Sequence, residues 1–450
     1  MGVPAKPKYT PDSYTVALIC PKGIEFAAVE GMLEHTHPPI PMERAENAYT
    51  LGQISNHNVV VVMLPESGTS AAATTVTQAL NDFKSIRFGL LVGVGGAIPV
   101  EEVHDIRLGD VVVSMPAGTF GGVVQFDRGK IYTDGRFERT GALSKPPNLL
   151  LSSAGKLHAR HIREGNSLMK NVSTLLSKFP KMRKGPLGDP GSAKDLLFEA
   201  TYPHPEKMNT CKSCLPEKLV NREPRSEAGP EIHYGTIGSS NLVIKDGITR
   251  NKLYDELGII CVEIEAAGLI DEFPCLVIRG ISNYADSHKN KEWQPYAAAT
   301  AAAYMKELLE TIPSSEVYKA RRAVDSLKVW VGSIRKEVVD AAIKGKLDEF
   351  KNDCSKSKME VLGEWTASVV DFSSVHQFFA KWFHSPRLLY GPWTPDPRAV
   401  WADTRRDDSE RMLAWCDDCG KNSSGYRVIA KYWTLWALFK YAGVVSATLR

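Results

Sequence analysis

Val262-Glu-Ile-Glu-Ala-Ala-Gly-Leu269 carries two carboxylates at the junction between an apolar run and an alanine-rich turn. The run that leads into it, Gly258–Ile264 (GIICVEI), reads as a strand buried on both faces. The segment that follows, Ala266–Glu272, reads as a helix. Glu265 therefore stands where a strand ends and a helix begins. In open α/β sheets that is where ligands bind. A carboxylate at such a place either caps the helix or accepts hydrogen bonds from ligand hydroxyls.

Outward from this junction the same alternation repeats. Tyr14–Cys20, Asn58–Leu64, Phe88–Val94, Gly109–Met115, His233–Ile237 and Pro274–Arg279 read as strands. Helices are expected at Ile24–Glu34, Ala71–Phe83, Thr249–Leu257 and Tyr296–Thr311. Val-, Ile- and Leu-rich strands alternating with helices imply a mostly parallel sheet covered on both faces. The residues just past each strand are then the ones to inspect.

The chain has 450 residues, 43% hydrophobic and 24% charged, so disorder throughout is excluded and two or three domains fit. A net charge of +3 without a basic, aromatic-interleaved stripe gives no footprint for nucleic acid. The apolar runs are too short to span a bilayer. The first residues lack the apolar core of a secretory signal. A cytoplasmic protein is expected. Cys20, Cys261 and Cys275, in or beside strands, read as buried thiols of a reducing compartment.

Residues 1–13 read as a flexible arm, and 14–313 as the α/β domain. Within it, 141–230 is thin in apolar residues and reads as a long surface insertion with a short helix at Val172–Phe179. Residues 314–450 change character. Ala320–Phe350 is charged and helical, and eight of the nine tryptophans fall at or after Trp330. A helical, Trp-rich C-terminal region is expected, either with its own small core or docking a protein partner.

Several segments together resemble the nucleoside phosphorylase superfamily, in particular its methylthioadenosine/adenosylhomocysteine nucleosidase branch and a fungal subgroup. Val262–Leu269 is similar to the VEMEA signature, with Ile264 in place of Met. Arg279-Gly-Ile-Ser-Asn-Tyr-Ala-Asp286 resembles the R-x-x-S-D strand end. Val92–Ala97 resembles the glycine turn, Gly109-Asp110 the "GD" strand, Gly23–Ala28 the first turn after strand one, and Tyr234–Ile244 the base-binding loop. The resemblance runs over about 300 residues in the family's order. It implies a three-layer α/β phosphorylase-type fold around a central, mostly parallel mixed sheet. It also implies a purine nucleoside as ligand, no cofactor, and a homo-oligomer.

The same resemblance assigns roles. Glu265 would accept the ribose hydroxyls, with Ile264 packed on the sugar. Glu25 would orient a water, and Gly95 and Gly96 would approach the ribose and the nucleophile. Ser67 and Gly68 would line the same pocket. Backbone near Val243 would read the purine edge, and because Val243 is not aromatic, stacking must come from elsewhere. Phosphorylases of the superfamily carry an Arg where this chain has Leu91. That absence, with Glu25, favours hydrolysis over phosphorolysis. The general-acid position holds Asn283, whose amide cannot protonate a purine. This leaves open a slowed enzyme, a preference for 6-oxopurines, or a nucleoside-binding signalling module. Asp286 is the nearest alternative carboxylate.

Two CxxC pairs remain, Cys211/Cys214 and Cys416/Cys419. Each is half of a zinc site, and His204 lies near the first. Isolated pairs are more often surface thiols or a redox-labile pair, so no metal is expected. His104-Asp105 is a candidate to reach a neighbouring subunit's ribose 5′-hydroxyl, although a satisfied surface histidine is the commoner reading of such a pair.

Overall fold

The computed structural model describes residues 9–42, 47–100, 103–184, 188–205, 210–227 and 229–325. These belong to one compact unit, Met1–Ala342. The described strands are β1 Val16–Cys20, β2 His35–Thr36, β3 Tyr49–Ile54, β4 His57–Met63, β5 Phe88–Ala97 and β6 Val111–Ser114. They continue as β7 Val123–Gln125, β8 Gly129–Ile131, β9 Phe137–Arg139, β10 Ile232–Ser239, β11 Ile259–Glu263 and β12 Cys275–Asn283. The helices are α1 Gly23–Gly31, α2 Thr69–Asp82, α3 Asn148–Glu164, α4 Leu168–Lys178, α5 Pro180–Lys184, α6 Gly247–Leu257, α7 Gln294–Thr311 and α8 Ser314–Lys319.

The central sheet is mixed, in the order β11-β10-β6-β12-β5-β1-β4-β3-β2, with β7 beside β10. Pairing is parallel for β1 with β4 and β5, for β12 with β5, and for β10 with β6, β7 and β11. It is antiparallel for β12–β6, β3–β4, β2–β3 and β11–β5. The last pairing, Cys261 opposite Ala97 and Val262 opposite Gly96, bends the sheet back on itself. Strands β5, β12, β6, β10 and β11 thereby form a closed ring, and β1 to β4 extend from it as a wing.

Side chains alternate across this sheet with a period of two. Phe88, Leu90 and Val92 of β5 face a layer containing α1, α3, α4 and α7. Leu91 faces the opposite layer, with α2. Helix α7 lies against β12 at backbone distance because its run of alanines leaves no bulk. A Cβ on Gly280 would stand 1.8 Å from the carbonyl oxygen of Ala297.

The insertion 141–230 differs from its expected form. Among the described residues it holds helices α3, α4 and the short α5, and the Val172–Phe179 expectation becomes Leu168–Lys178. Leu150, Ala154 and Leu157 of α3 and Leu168, Val172 and Leu175 of α4 are buried in the main core. Each set is a narrow stripe at helical spacing among polar residues, so the average over the segment looks thin. The expected helix Ala266–Glu272 is only a 3₁₀ turn, Ala266–Gly268. Packing continues past Pro313. Val317 and Ala323 are fully buried, and Ala323 N–H donates to the carbonyl of Ile86 at 2.7 Å. The tryptophans from Trp330 onward, Cys416 and Cys419 lie outside the described residues. No helix among the described residues is long and apolar enough to cross a membrane.

Candidate active site

The ends of β1, β5, β11 and β12 converge on an open cleft. Its wall includes Glu25, Gly95, Gly96, Val243, Ile264, Glu265 and Asn283, which the sequence had singled out. Ring closure explains their meeting. Gly96 is opposite Val262 of β11 on one side and opposite Asn283 of β12 on the other. A Cβ on Gly96 would approach Asn283 Oδ1 to 2.8 Å, so only glycine leaves room there.

Glu25 stands in the first turn of α1 and is 1% exposed. Its Oε1 accepts a hydrogen bond from Val94 N–H at 2.8 Å. Its Oε2 is buried with no hydrogen-bond partner among the described residues. Burial raises its pKa from 4.5 to about 7, against the opposing pull of Arg279 and the Val94 hydrogen bond. A carboxyl poised near neutrality with one oxygen aimed at nothing in the protein is suited to exchanging a proton with a ligand or water.

Arg279, fully buried in β12, organises the floor. Its Nη2 donates to Glu263 Oε2 and, at 3.1 Å, to Glu265 Oε2. Burial works to lower its pKa, but Glu263, Glu265 and Glu25 together raise it, so the guanidinium stays charged. The two glutamates then divide the tasks left open by the sequence. Glu263 accepts from the backbone N–H groups of Glu265 and Ala266, at 3.1 and 3.0 Å, and so caps the 3₁₀ turn. Glu265 makes no capping bond. Burial raises its pKa, against the opposing pull of Arg279, and its carboxyl is held by that one arginine on the cleft wall. Gly93 makes room for this cluster: a Cβ there would lie 2.3 Å from Arg279 Nη1 and 2.9 Å from Glu25 Oε1.

Asn283 is 5% exposed. Its Oδ1 accepts from Ala285 N–H at 3.0 Å, and its Nδ2 donates to Ser282 Oγ at 3.0 Å and to Gly95 O at 3.4 Å. Asp286 is not on the cleft wall; it is 3.6 Å from Arg250 and accepts from His288 N–H. Ser67 and Gly68 are not on the wall either. Their turn starts α2, where Thr69 Oγ1 donates to Asn241 Oδ1 at 2.8 Å and so pins the loop that carries Val243. Val243 is half exposed at the mouth, between Leu242 and Ile244. None of the described wall residues is aromatic. Leu91 is buried in the core beneath α2, so it brings no cation to the cleft.

Asp110 of the "GD" segment serves the scaffold. It accepts from Arg225 Nη1 and Nη2 at 2.7 and 2.6 Å and is 2.9 Å from His233 Nε2. Burial raises its pKa, but these partners outweigh it and the net shift is downward. His104 packs edge-on against Tyr254, and Asp105 pairs with Arg107. Glu263, Lys22, Lys289 and Gln294 are also on the wall, and nothing in their local sequence pattern assigns them a role. Glu263 was visible two residues from Glu265, but only the fold shows which of the two meets the helix.

Residues 15–311 match the family model of the phosphorylase superfamily. The chain belongs to this superfamily. A nucleotide-binding leucine-rich repeat (NLR)-like protein of Hyaloscypha variabilis is 39% identical over 369 residues, 80% of this chain and 36% of the relative. The 5′-methylthioadenosine/S-adenosylhomocysteine nucleosidase of Mycobacterium bovis is 32% identical over 89 residues, 19% of this chain and 35% of the relative. The matches thus span about a third of each relative's length. Among solved structures, futalosine hydrolase of Helicobacter pylori is 16% identical with a TM-score of 0.43, covering 66% of this chain and 98% of that one. A mutant Helicobacter pylori methylthioadenosine/adenosylhomocysteine nucleosidase, with 5′-methylthioadenosine in its active site, is also 16% identical, with a TM-score of 0.44 and the same coverage.

Proposed function

We propose that the cleft binds a purine nucleoside and hydrolyses its N-glycosidic bond, giving base and ribose. The observation that carries this reading is Glu25, a buried carboxyl on the wall with one unpartnered oxygen and a pKa near neutrality. Water held by Glu25 attacks the anomeric carbon. The bond from that carbon to the base nitrogen breaks, its electron pair leaves with the base, and Glu25 receives the water's proton. Glu265 accepts hydrogen bonds from the ribose hydroxyls and supports positive charge as it develops on the sugar.

Water suits this wall better than phosphate. Three carboxylates, Glu25, Glu263 and Glu265, are on it, and the charge of Arg279 is already shared by two of them. Lys22 and Lys289 are the cations on the wall. Burial, reinforced by Lys22 and Lys245, lowers the pKa of Lys289 and makes its charge harder to hold. Asn283 holds the departing base by hydrogen bonds, and the proton the base needs comes from solvent.

A second reading is supported by Asn283 and by the long NLR-like relative: a nucleoside-binding signalling module with little turnover, with the region beyond 314 contacting partners. A chromatographic screen of adenosine, inosine, guanosine, AMP and methylthioadenosine, with and without phosphate, separates the readings. Base release independent of phosphate supports hydrolysis. Strict phosphate dependence overturns it in favour of phosphorolysis, and binding without release favours the signalling module.

A further inference from the structure

The first CxxC pair belongs to a cluster that the cleft does not use. Cys211 and Cys214 flank a 3₁₀ turn, in which Cys214 N–H donates to Cys211 O at 3.2 Å. This turn brings both thiols to His204, and one ligand atom from each of the three lies within 4.8 Å of the others. A tetrahedral zinc with Zn–S bonds of about 2.3 Å sets its ligand atoms roughly 3.7 Å apart. Donors already this close need only side-chain torsions to adjust.

Two further observations point to an ion. His204 Nδ1 is 2.9 Å from the carbonyl of its neighbour Pro205. Such a bond fixes the proton on Nδ1 and leaves the Nε2 lone pair available, which is how metal-ligating histidines are commonly oriented. His288 is 7% exposed, and neither ring nitrogen makes a hydrogen bond among the described residues; Nδ1 has only Asp286 Oδ1 at 3.7 Å. Its ring is 5.2 Å from that of His204 and stacks on Phe198 at 4.1 Å. Buried nitrogens left unsatisfied call for an explanation, and a ligand role supplies one.

We propose that Cys211, Cys214 and His204 bind a structural zinc ion, with His288, whose ring nitrogens lie outside their mutual 4.8 Å set, moving in as the fourth ligand. This goes beyond the expectation of no metal. The ion clamps the insertion to the loop after β12. His204 N–H already donates to Ser287 Oγ at 2.9 Å, and Cys211 Sγ is 4.0 Å from His288 O. The clamped loop continues into Lys289 on the cleft wall, so the metal sets one side of the cleft without touching the reaction.

The test is metal analysis of the full chain purified under reducing conditions. About one zinc per chain is expected, retained when Cys416 and Cys419 are both changed to Ser and lost in C211S/C214S. H204A and H288A should each weaken zinc binding by more than the ~10–100-fold that even an outer-shell partner costs. Because a cysteine variant can fail to fold, the wild-type chain is also stripped and titrated with cobalt(II). The intense visible bands of a tetrahedral thiolate site are expected. Wild-type chain with no zinc and no such bands overturns the site, as does zinc lost only with Cys416 and Cys419. An H288A chain with wild-type affinity removes His288 from the ligand set.

Discussion

Glu25 should work against the stability of the chain while serving its chemistry, and Glu25→Gln separates the two. Its carboxyl is 1% exposed and has its pKa raised from 4.5 to about 7, chiefly by burial. The folded chain therefore keeps this proton up to about pH 7, whereas the unfolded chain releases it near 4.5. Between those values the folded state binds more protons, so stability falls as pH rises. The contribution is fully present below about pH 4.5 and lost above about 7. At about 1.4 kcal/mol per pH unit, that is roughly 3 kcal/mol. Glutamine keeps an oxygen to accept the Val94 N–H and carries no proton to lose. Urea unfolding of both chains from pH 4.5 to 8 isolates this group, because other titrations, such as that of Glu265, occur in both. The stability of the variant relative to wild type should climb by roughly 3 kcal/mol across the window. Hydrolysis should fall ~10²–10⁴-fold in the variant, and in the wild type it should rise with pH through an apparent pKa near 7. A stability difference that stays flat from pH 5 to 8 would refute the buried, protonated Glu25, whatever happens to activity.

Asn283→Asp should raise base release by ~10²–10⁴-fold, since it restores a proton donor between Ser282 Oγ and Ala285 N–H; an unchanged rate removes position 283 from the mechanism. Glu265→Gln should weaken nucleoside binding ~10–100-fold, the worth of hydrogen bonds to a charged acceptor. A 2′-deoxynucleoside should lose affinity for the wild type but little more for the variant, and equal losses in both chains would dismiss the ribose contact. Gly280→Ala should lower stability by ~3 kcal/mol or more, because its methyl would meet the Ala297 carbonyl at 1.8 Å; an unshifted urea midpoint would deny that contact.

The sequence showed those parts of the site that depend on one strand and its next turn. Strand ends at Cys20, Val94 and Ile264 marked Glu25, the glycines and Glu265, because buried strands and helices differ in local pattern. What depended on distant pairing was not legible. The β5–β11 contact joins residues more than 160 apart in sequence, and nothing near Gly96 announces Val262 as its partner. Whether a turn faces the cleft or a neighbouring loop is equally non-local, and Ser67-Gly68 illustrates this through Thr69 and Asn241. The helices of the insertion were hidden for a different reason: each shows the core only three or so residues.

Arg279 shows what the non-local part adds to the chemistry. In the sequence it is an arginine inside an apolar run, CLVIRGISN, useful mainly as part of a pattern. A fully buried guanidinium is tolerable only with partners, and its partners come from the end of β11. Two carboxylates compete for that one cation. Glu263 also accepts from the backbone, whereas Glu265 makes no capping bond and is held in place by Arg279. Glu25, the third acid, feels Arg279 as well but takes no hydrogen bond from it, and burial prevails. The cleft therefore carries one carboxyl held by an arginine, which the proposed hydrolysis assigns to the sugar, and one carboxyl free to exchange a proton. An anionic nucleophile would add charge to the side where Glu25 must ionise, whereas water gives Glu25 the proton that relieves its burial.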